Sequence, residues 1–254
     1  MSQITIQHLD FTYDGDHTPV FQDLDLQLDS SWKLGLVGRN GRGKTTLLRL
    51  LEGELSGTGT LQCPERPVYF PRPVEDCGRT AREVLLKDIP PEEEWKFLRE
   101  LNKLGLGEEV LERPFQSLSG GEQTRARLAA LFCTEEGYPL IDEPTNHLDE
   151  AGRALVARYL QGVRRGFLLV SHDRTFLDGC VDHILALNPA GQELIRGNFS
   201  TWYQEKSARD RREEAQNERL RGEIQRLEKA AQRTSNWSDR VEKSKYRSEN
   251  SGLK

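Results

Sequence analysis

Residues 38–46 read Gly-Arg-Asn-Gly-Arg-Gly-Lys-Thr-Thr, an order that fits the phosphate-cradling pattern G-x-x-x-x-G-K-[ST]. Gly38, Gly41 and Gly43 let the backbone turn tightly, so that N–H groups, including that of Asn40, face phosphate oxygens. Lys44 is placed to reach the β- and γ-phosphates, and the Thr45 hydroxyl to ligate Mg²⁺. Thr46 is the next hydroxyl on the same turn. A glycine-rich turn with a chance lysine is the plain alternative, and the flanks argue against it. Leu34-Gly35-Leu36-Val37 reads as a buried strand and Thr45 to Leu51 as a helix start, the order that anion binding at a helix N-terminus requires. By itself this loop implies only a nucleoside triphosphate site.

A second constellation ends another apolar run. Pro139-Leu140-Ile141 leads into Asp142-Glu143. In a phosphate-loop protein that is the place for a carboxylate that holds Mg²⁺ directly or through water, here Asp142. Glu143, one residue on, is placed to polarise an attacking water as general base. A third run, Phe167 to Val170, ends in Ser171-His172-Asp173. Taken alone, His172 at a strand end is a structural residue.

The elements that must hold these groups follow from periodicity. Ile4 and Ile6, then Leu24, Leu26 and Leu28, alternate with polar neighbours, as half-exposed antiparallel strands do. Residues 52–60 read as a Gly- and Ser-bearing loop, and Pro64, Pro67, Pro71 and Pro73 exclude regular helix from the next stretch. From Thr80 to Leu111 the spacing is helical, broken at Pro90-Pro91, where Pro91 can open a new helix. Gly120 to Cys133 reads as a helix and Val156 to Val163 as a crossover helix between buried strands. A hairpin is expected around 188–191. Strands alternating with helices predict an α/β domain with a parallel sheet, the N-terminal antiparallel strands lying to one side.

Composition supports one sizeable core among the 254 residues, of which 35% are hydrophobic and 30% charged. The net charge of −5 is uneven: residues 200–254 hold 14 Lys and Arg against 10 Asp and Glu, so they carry +4 and residues 1–199 carry −9. Within that basic tail Leu220, Ile224, Leu227 and Ala231 fall at spacings of four, three and four, enough for a helical hairpin or coiled coil but not a globular core. A solvated helix with an incidental stripe is the alternative. The tail ends without closure, as a piece of something longer would. Cys63, Cys77, Cys133 and Cys180 form no C-x-x-C pair, which fits reduced cytosolic thiols. No secretory leader and no run near the ~18 apolar residues of a membrane span is present, so a cytoplasmic setting is expected.

Three further segments carry a family resemblance. Leu118-Ser119-Gly120-Gly121-Glu122-Gln123 is similar to the signature of ABC ATPases. Residues 142–149, Asp-Glu-Pro-Thr-Asn-His-Leu-Asp, resemble the Walker B and D-loop of the ABC-F branch, and Ser171-His172-Asp173-Arg174 resembles its switch-histidine segment. With the phosphate loop the resemblance covers about residues 1–200. It implies an ABC-type domain over 1–199 with a parallel core sheet, an antiparallel N-terminal β subdomain and a helical signature subdomain at about 80–133. Residues 200–254 would then begin a charged α-helical interdomain linker.

The resemblance also implies roles. ABC domains pair head to tail, so Ser119, Gly120, Gly121 and Glu122 would face ATP held by a second ABC domain, in the same full-length chain or a second copy. As a plain reading Ser119 is an N-cap, and both can hold. His172 would contact the γ-phosphate or the water, joining Glu143 and Lys44 in catalysis, and Asp149 would serve the D-loop. Tyr13 would stack on adenine, with Phe11 as the alternative. The family's Gln after the strand that follows the first helix is missing: Val68-Tyr69-Phe70-Pro71-Arg72-Pro73 puts Arg72 there, and an arginine does not ligate Mg²⁺. The linker implies a ribosome, rRNA or tRNA partner, with Trp202, Trp237 and Tyr246 able to stack. The Pro-rich loop and Phe115-Gln116-Ser117-Leu118 point to the antibiotic-resistance, ribosome-protection branch. The rivals are a transport ATPase subunit and a nucleotide-binding module without turnover of its own.

Overall fold

Strands β1 (Gln3–Phe11) and β2 (Phe21–Asp29) pair antiparallel, and their buried residues alternate as the sequence predicts. The computed structural model describes residues 2–74, 78–134, 136–188 and 191–250, with side chains described as far as residue 229. By contact the chain divides into two units, Met1–Trp202 and Tyr203–Lys254.

In the first unit, β3 (Lys33–Gly38) leads into α1 (Lys44–Glu52), followed by β4 (Thr58–Gln62) and β5 (Pro67–Phe70). The helical part holds α2 (Ala81–Leu85), α3 (Glu94–Lys103) and α4 (Gly120–Cys133), with short 3-10 turns between them. Then come β6 (Tyr138–Asp142), α5 (Glu150–Gly162), β7 (Phe167–Val170), α6 (Arg174–Cys180), β8 (His183–Asn188) and β9 (Gly191–Arg196). The last helix, α7, spans Phe199–Asn250.

One sheet has three strands in the order β2-β1-β4, and the other has six in the order β5-β6-β7-β3-β8-β9. All neighbours in the larger sheet are parallel except β8 and β9. Its central strands are buried on both faces, which is why they read as unbroken apolar runs. Leu34, Leu36, Leu140, Leu168 and Leu185 join the core shared with α1 and the antiparallel strands. Val37, Ile141, Leu169 and Ile184 face the core built with the helical part, α5 and α6.

Two sequence expectations are corrected in detail. The loop expected over 52–60 ends early, because Thr58–Gln62 forms β4. Its one apolar residue, Leu61, gives no local alternation, and the segment becomes a strand by pairing with β1, Ile6 against Leu61. The helical stretch over 80–111 is three pieces: α2, a 3-10 turn opened by Pro91 that continues into α3, and a 3-10 turn over Glu108–Glu112. The segment after His172 is helical, because Asp173 caps α6 by accepting the Phe176 N–H at 3.0 Å. Of the expected hairpin, β8 and β9 pair as a ladder, while Pro189 and Ala190 lie outside the described residues, as does Cys77.

In the second unit the stripe residues Leu220, Ile224 and Leu227 are exposed. Ala231, Trp237 and Tyr246 lie beyond the described side chains. Trp202, the last residue of the first unit, is buried there against Phe199. No helix among the described residues is long and apolar enough to cross a membrane.

Leu36 sits at zero exposure on β3, directly before the phosphate loop. Leu36→Ala is expected to cost about 2–5 kcal/mol by leaving a cavity under that loop, measured as a fall in the urea midpoint at unchanged slope.

Candidate functional site

The strand order places β7 between β6 and β3, so the carboxyl ends of three parallel strands lie side by side. The phosphate loop leaves β3, Asp142-Glu143 ends β6, and Ser171-His172 leaves β7. Residues nearly 100 positions apart therefore meet in the crevice where open α/β sheets bind ligands.

The loop itself is shaped for close approach. Gly41 and Gly43 take φ of 77° and 83°, the left-handed region that side chains avoid. A Cβ on Gly43 would also lie 2.6 Å from Val20 Cγ1 and 2.7 Å from Phe21 Cζ. Gly43 supplies no side-chain cap to α1, so the first N–H groups of the helix are left to face an anion. Lys44 is largely buried, and its ammonium donates to the carbonyls of Gly38 at 3.0 Å and Arg39 at 3.4 Å, curled over the loop. Gly38 ends β3 beside Leu187, and Asn40 is exposed in the turn.

Thr45 and Asp142 meet directly: Thr45 Oγ1 donates to Asp142 Oδ2 at 2.9 Å. A carboxylate and a hydroxyl at one point are hard oxygen donors, and this pair fits Mg²⁺. Thr46 is buried, its hydroxyl 2.9 Å from the Tyr13 hydroxyl. Between the two candidate aromatics the structure makes a clear distinction. Phe11 is in the core, whereas Tyr13 is 38% exposed and stands edge-on to Phe11 at 4.9 Å.

Glu143 takes φ of 48°, and its N–H donates to the Val170 carbonyl at 2.9 Å, tying it to β7. Its Oε2 accepts from the His172 N–H at 3.3 Å. The His172 ring brings Nε2 to 3.3 Å from Glu143 Oε1, an ion-pair distance without the alignment of a hydrogen bond. Oε1 is thereby left buried with no hydrogen-bond donor. Burial pushes the Glu143 carboxyl above the ordinary range and neighbouring Asp142 adds to it, while His172 and Lys44 pull the other way. The His172 side chain is 61% exposed.

Ser119 and Glu122 form a reciprocal cap on α4. Ser119 Oγ accepts from the Glu122 N–H at 3.2 Å, and Glu122 Oε2 accepts from the Ser119 N–H at 2.7 Å. A Cβ on Gly120 would lie 2.9 Å from His147 Cβ, so the cap rests closely on the loop after β6, with Gly121 beside the His147 carbonyl. Asp149 caps α5 through the Gly152 N–H at 2.8 Å. The signature residues thus cap a helix of their own domain, and no hydrogen bond or ion pair among the described residues joins them to Lys44, Thr45, Asp142, Glu143 or His172.

Three contributors were not singled out in the sequence. The Tyr69 hydroxyl donates to Asp142 Oδ2 at 2.9 Å. Thr145 and Ser171 are buried with hydroxyls 3.3 Å apart, linking the loops after β6 and β7. Only the pairing of β5 with β6 brings Tyr69 to Asp142, so no local signal marks it. Arg72 is exposed and lines a cavity of about 710 Å³ bounded by β5, α2 and α4.

Comparison with known proteins agrees with this geometry. The family model described as ABC transporter matches residues 21–146. The chain is 31% identical over 205 residues to human ATP-binding cassette sub-family F member 3, covering 78% of this chain and 29% of that protein. It is 28% identical over 231 residues to the ribosome protection protein VmlR of Bacillus subtilis, covering 91% of this chain and 40% of that one. The protein YheS of Escherichia coli K12 is 30% identical over 232 residues, with 77% and 36% covered. The chain therefore spans between 29% and 40% of the length of these relatives. A solved ABC transporter in an inward-facing conformation superposes with a TM-score of 0.64 at 23% identity, over 77% of this chain and 84% of that one. That likeness concerns the fold. The matched family model and the relatives of sub-family F make this an ABC ATPase domain, homologous to those of ABC-F proteins.

Proposed function

We propose that this chain is the ATP-binding and ATP-hydrolysing domain of an ABC-F protein that acts on the ribosome in the cytoplasm, in translation or in protecting ribosomes from antibiotics. The observation that carries the catalytic part is the convergence of Lys44, Thr45, Asp142, Glu143 and His172 at three adjacent strand ends. Residues 1–199 form the ABC domain in this reading, and residues 200–254 begin the basic linker that meets RNA phosphates. The ribosomal part is supported by the likeness to VmlR, which is named as a ribosome protection protein.

In the proposed reaction Tyr13 stacks on adenine. The N–H groups from Gly38 to Thr46, Asn40 included, and the Lys44 ammonium hold the β- and γ-phosphates. Thr45 and Asp142 hold Mg²⁺, which when bound neutralises charge on the phosphates. Glu143 accepts a proton from water at Oε1, the oxygen that no donor of the described residues satisfies. His172 keeps that carboxylate ionised and meets the γ-phosphate. Ser119, Gly120, Gly121 and Glu122 close over ATP on the second ABC domain, where Asp149 also contributes. The lone chain holds half of each composite site, so its own turnover is weak.

Lys44→Ala is expected to abolish binding of a fluorescent ATP analogue, because it removes the only ammonium set over the loop among the described residues. Glu143→Gln is expected to keep binding and to slow hydrolysis by about 10²–10⁴-fold. A full-length parent carrying Glu143→Gln should then co-sediment with ribosomes only when ATP is present. ATP-independent pelleting, or recovery with membranes that needs detergent, sinks the ribosomal reading. The raised Glu143 carboxyl also predicts a pH profile. The base works only when ionised, so turnover falls as pH drops through its raised pKa. His172→Ala removes a group that lowers that pKa, and the acid limb of the rate profile should move to higher pH.

A further inference from the structure

Asp142 Oδ2 accepts two hydroxyl donors at once, Thr45 Oγ1 and Tyr69 Oη, each at 2.9 Å. They arrive from opposite sides in the chain, one from the start of α1 and one from β5 at the sheet edge. Register explains the second contact. Tyr69 pairs with Leu140, and Asp142 lies two residues further along β6 on the same face, a distance the phenol covers. Tyr69 is half buried against the core that includes Leu140 and Leu168. Its ring is therefore held by packing and its hydroxyl by the carboxylate.

We infer that Tyr69 is a positioning residue for the metal site: by anchoring Oδ2 of Asp142 it presents Oδ1 to a divalent cation. The inference rests on the proposed role of Asp142 as the metal carboxylate, and it adds a residue that neither motif contains. The physical gain is pre-organisation. A carboxylate free to rotate loses that freedom when it binds a cation, and a donor that fixes one oxygen removes much of the loss. Thr45 does not make Tyr69 redundant. Its hydroxyl oxygen is itself a proposed ligand of the same ion, whereas the Tyr69 hydroxyl contributes only through Asp142.

Tyr69→Phe keeps the ring and removes the donor. The test titrates Mg²⁺ against a fluorescent ATP analogue on the full 254-residue chain, and separately measures analogue binding in EDTA. The expected result is an apparent Mg²⁺ affinity weakened by about tenfold, the low end for lost support of a metal ligand, with metal-free nucleotide affinity unchanged. Equal weakening with and without the metal, or no change in either, overturns the inference. Asp142→Asn, measured in parallel, separates the two levels. If it weakens Mg²⁺ dependence while Tyr69→Phe does not, the positioning role alone is wrong. If Asp142→Asn leaves Mg²⁺ dependence intact, the assignment of Asp142 is wrong and the inference goes with it.

Discussion

One hydrogen bond joins the phosphate-loop segment to the acid pair: the Thr45 hydroxyl on the first turn of α1 meets the Asp142 carboxylate at the end of β6, 97 positions away. Everything else at the site is arranged around that contact. It can form because β7 and β3 are inserted beside β6 in the parallel sheet, so the loop after β3 opens toward the acidic end of β6. The sheet can take that order because its central strands are apolar on both faces and are covered by separate cores. The partly buried Asp142 carboxylate is reached by donors from two directions. Tyr69 lies on one flank and Thr45 on the other.

Glu143 sits under the opposite constraint. Its backbone holds a positive φ and is pinned to Val170, which turns the side chain toward His172 instead of continuing the strand. Partial burial favours the neutral acid, while His172 and Lys44 favour the ionised form. A carboxyl balanced in this way has a higher affinity for a proton than an exposed one, which suits a group proposed to take a proton from water. The neighbouring Asp142, one residue earlier, has its oxygen Oδ2 filled by hydroxyl donors. Two adjacent acids thus differ in their surroundings: one has an oxygen that accepts two hydroxyl donors, the other a buried oxygen without a donor among the described residues.

The charged tail is organised by different physics. The described part of its stripe, Leu220, Ile224 and Leu227, stays exposed, so these side chains add no burial within their own unit. Its first turn, which belongs to the first unit, is tied more firmly. Asp178 at the end of α6 accepts the Ser200 N–H at 2.7 Å and also the Ser200 hydroxyl, and Trp202 is buried. These contacts satisfy N-terminal groups that a helix cannot satisfy internally. They fix where α7 begins, immediately after the hairpin and against the helix that follows His172.

Much of this was legible in residue order. The phosphate loop, the acid pair at a strand end, the buried runs and the span of α4 are local signals, because each depends on chain direction, side-chain type or short-range spacing. The choice between Phe11 and Tyr13 was not legible, since both fit the same local pattern and only packing buries the first and leaves the second exposed. β4 was missed because its partner strand, not its own alternation, makes it a strand. Tyr69, Thr145 and Ser171 were missed because their contacts cross between strands and loops distant in sequence. The sequence by itself therefore determined the phosphate-loop pattern and the acid pair at a strand end, through backbone freedom and charge that act within a few residues. The tertiary structure alone decided which hydroxyls hold Asp142 and which oxygen of Glu143 stays without a donor, because those depend on strand order and register, and these are set by long-range packing.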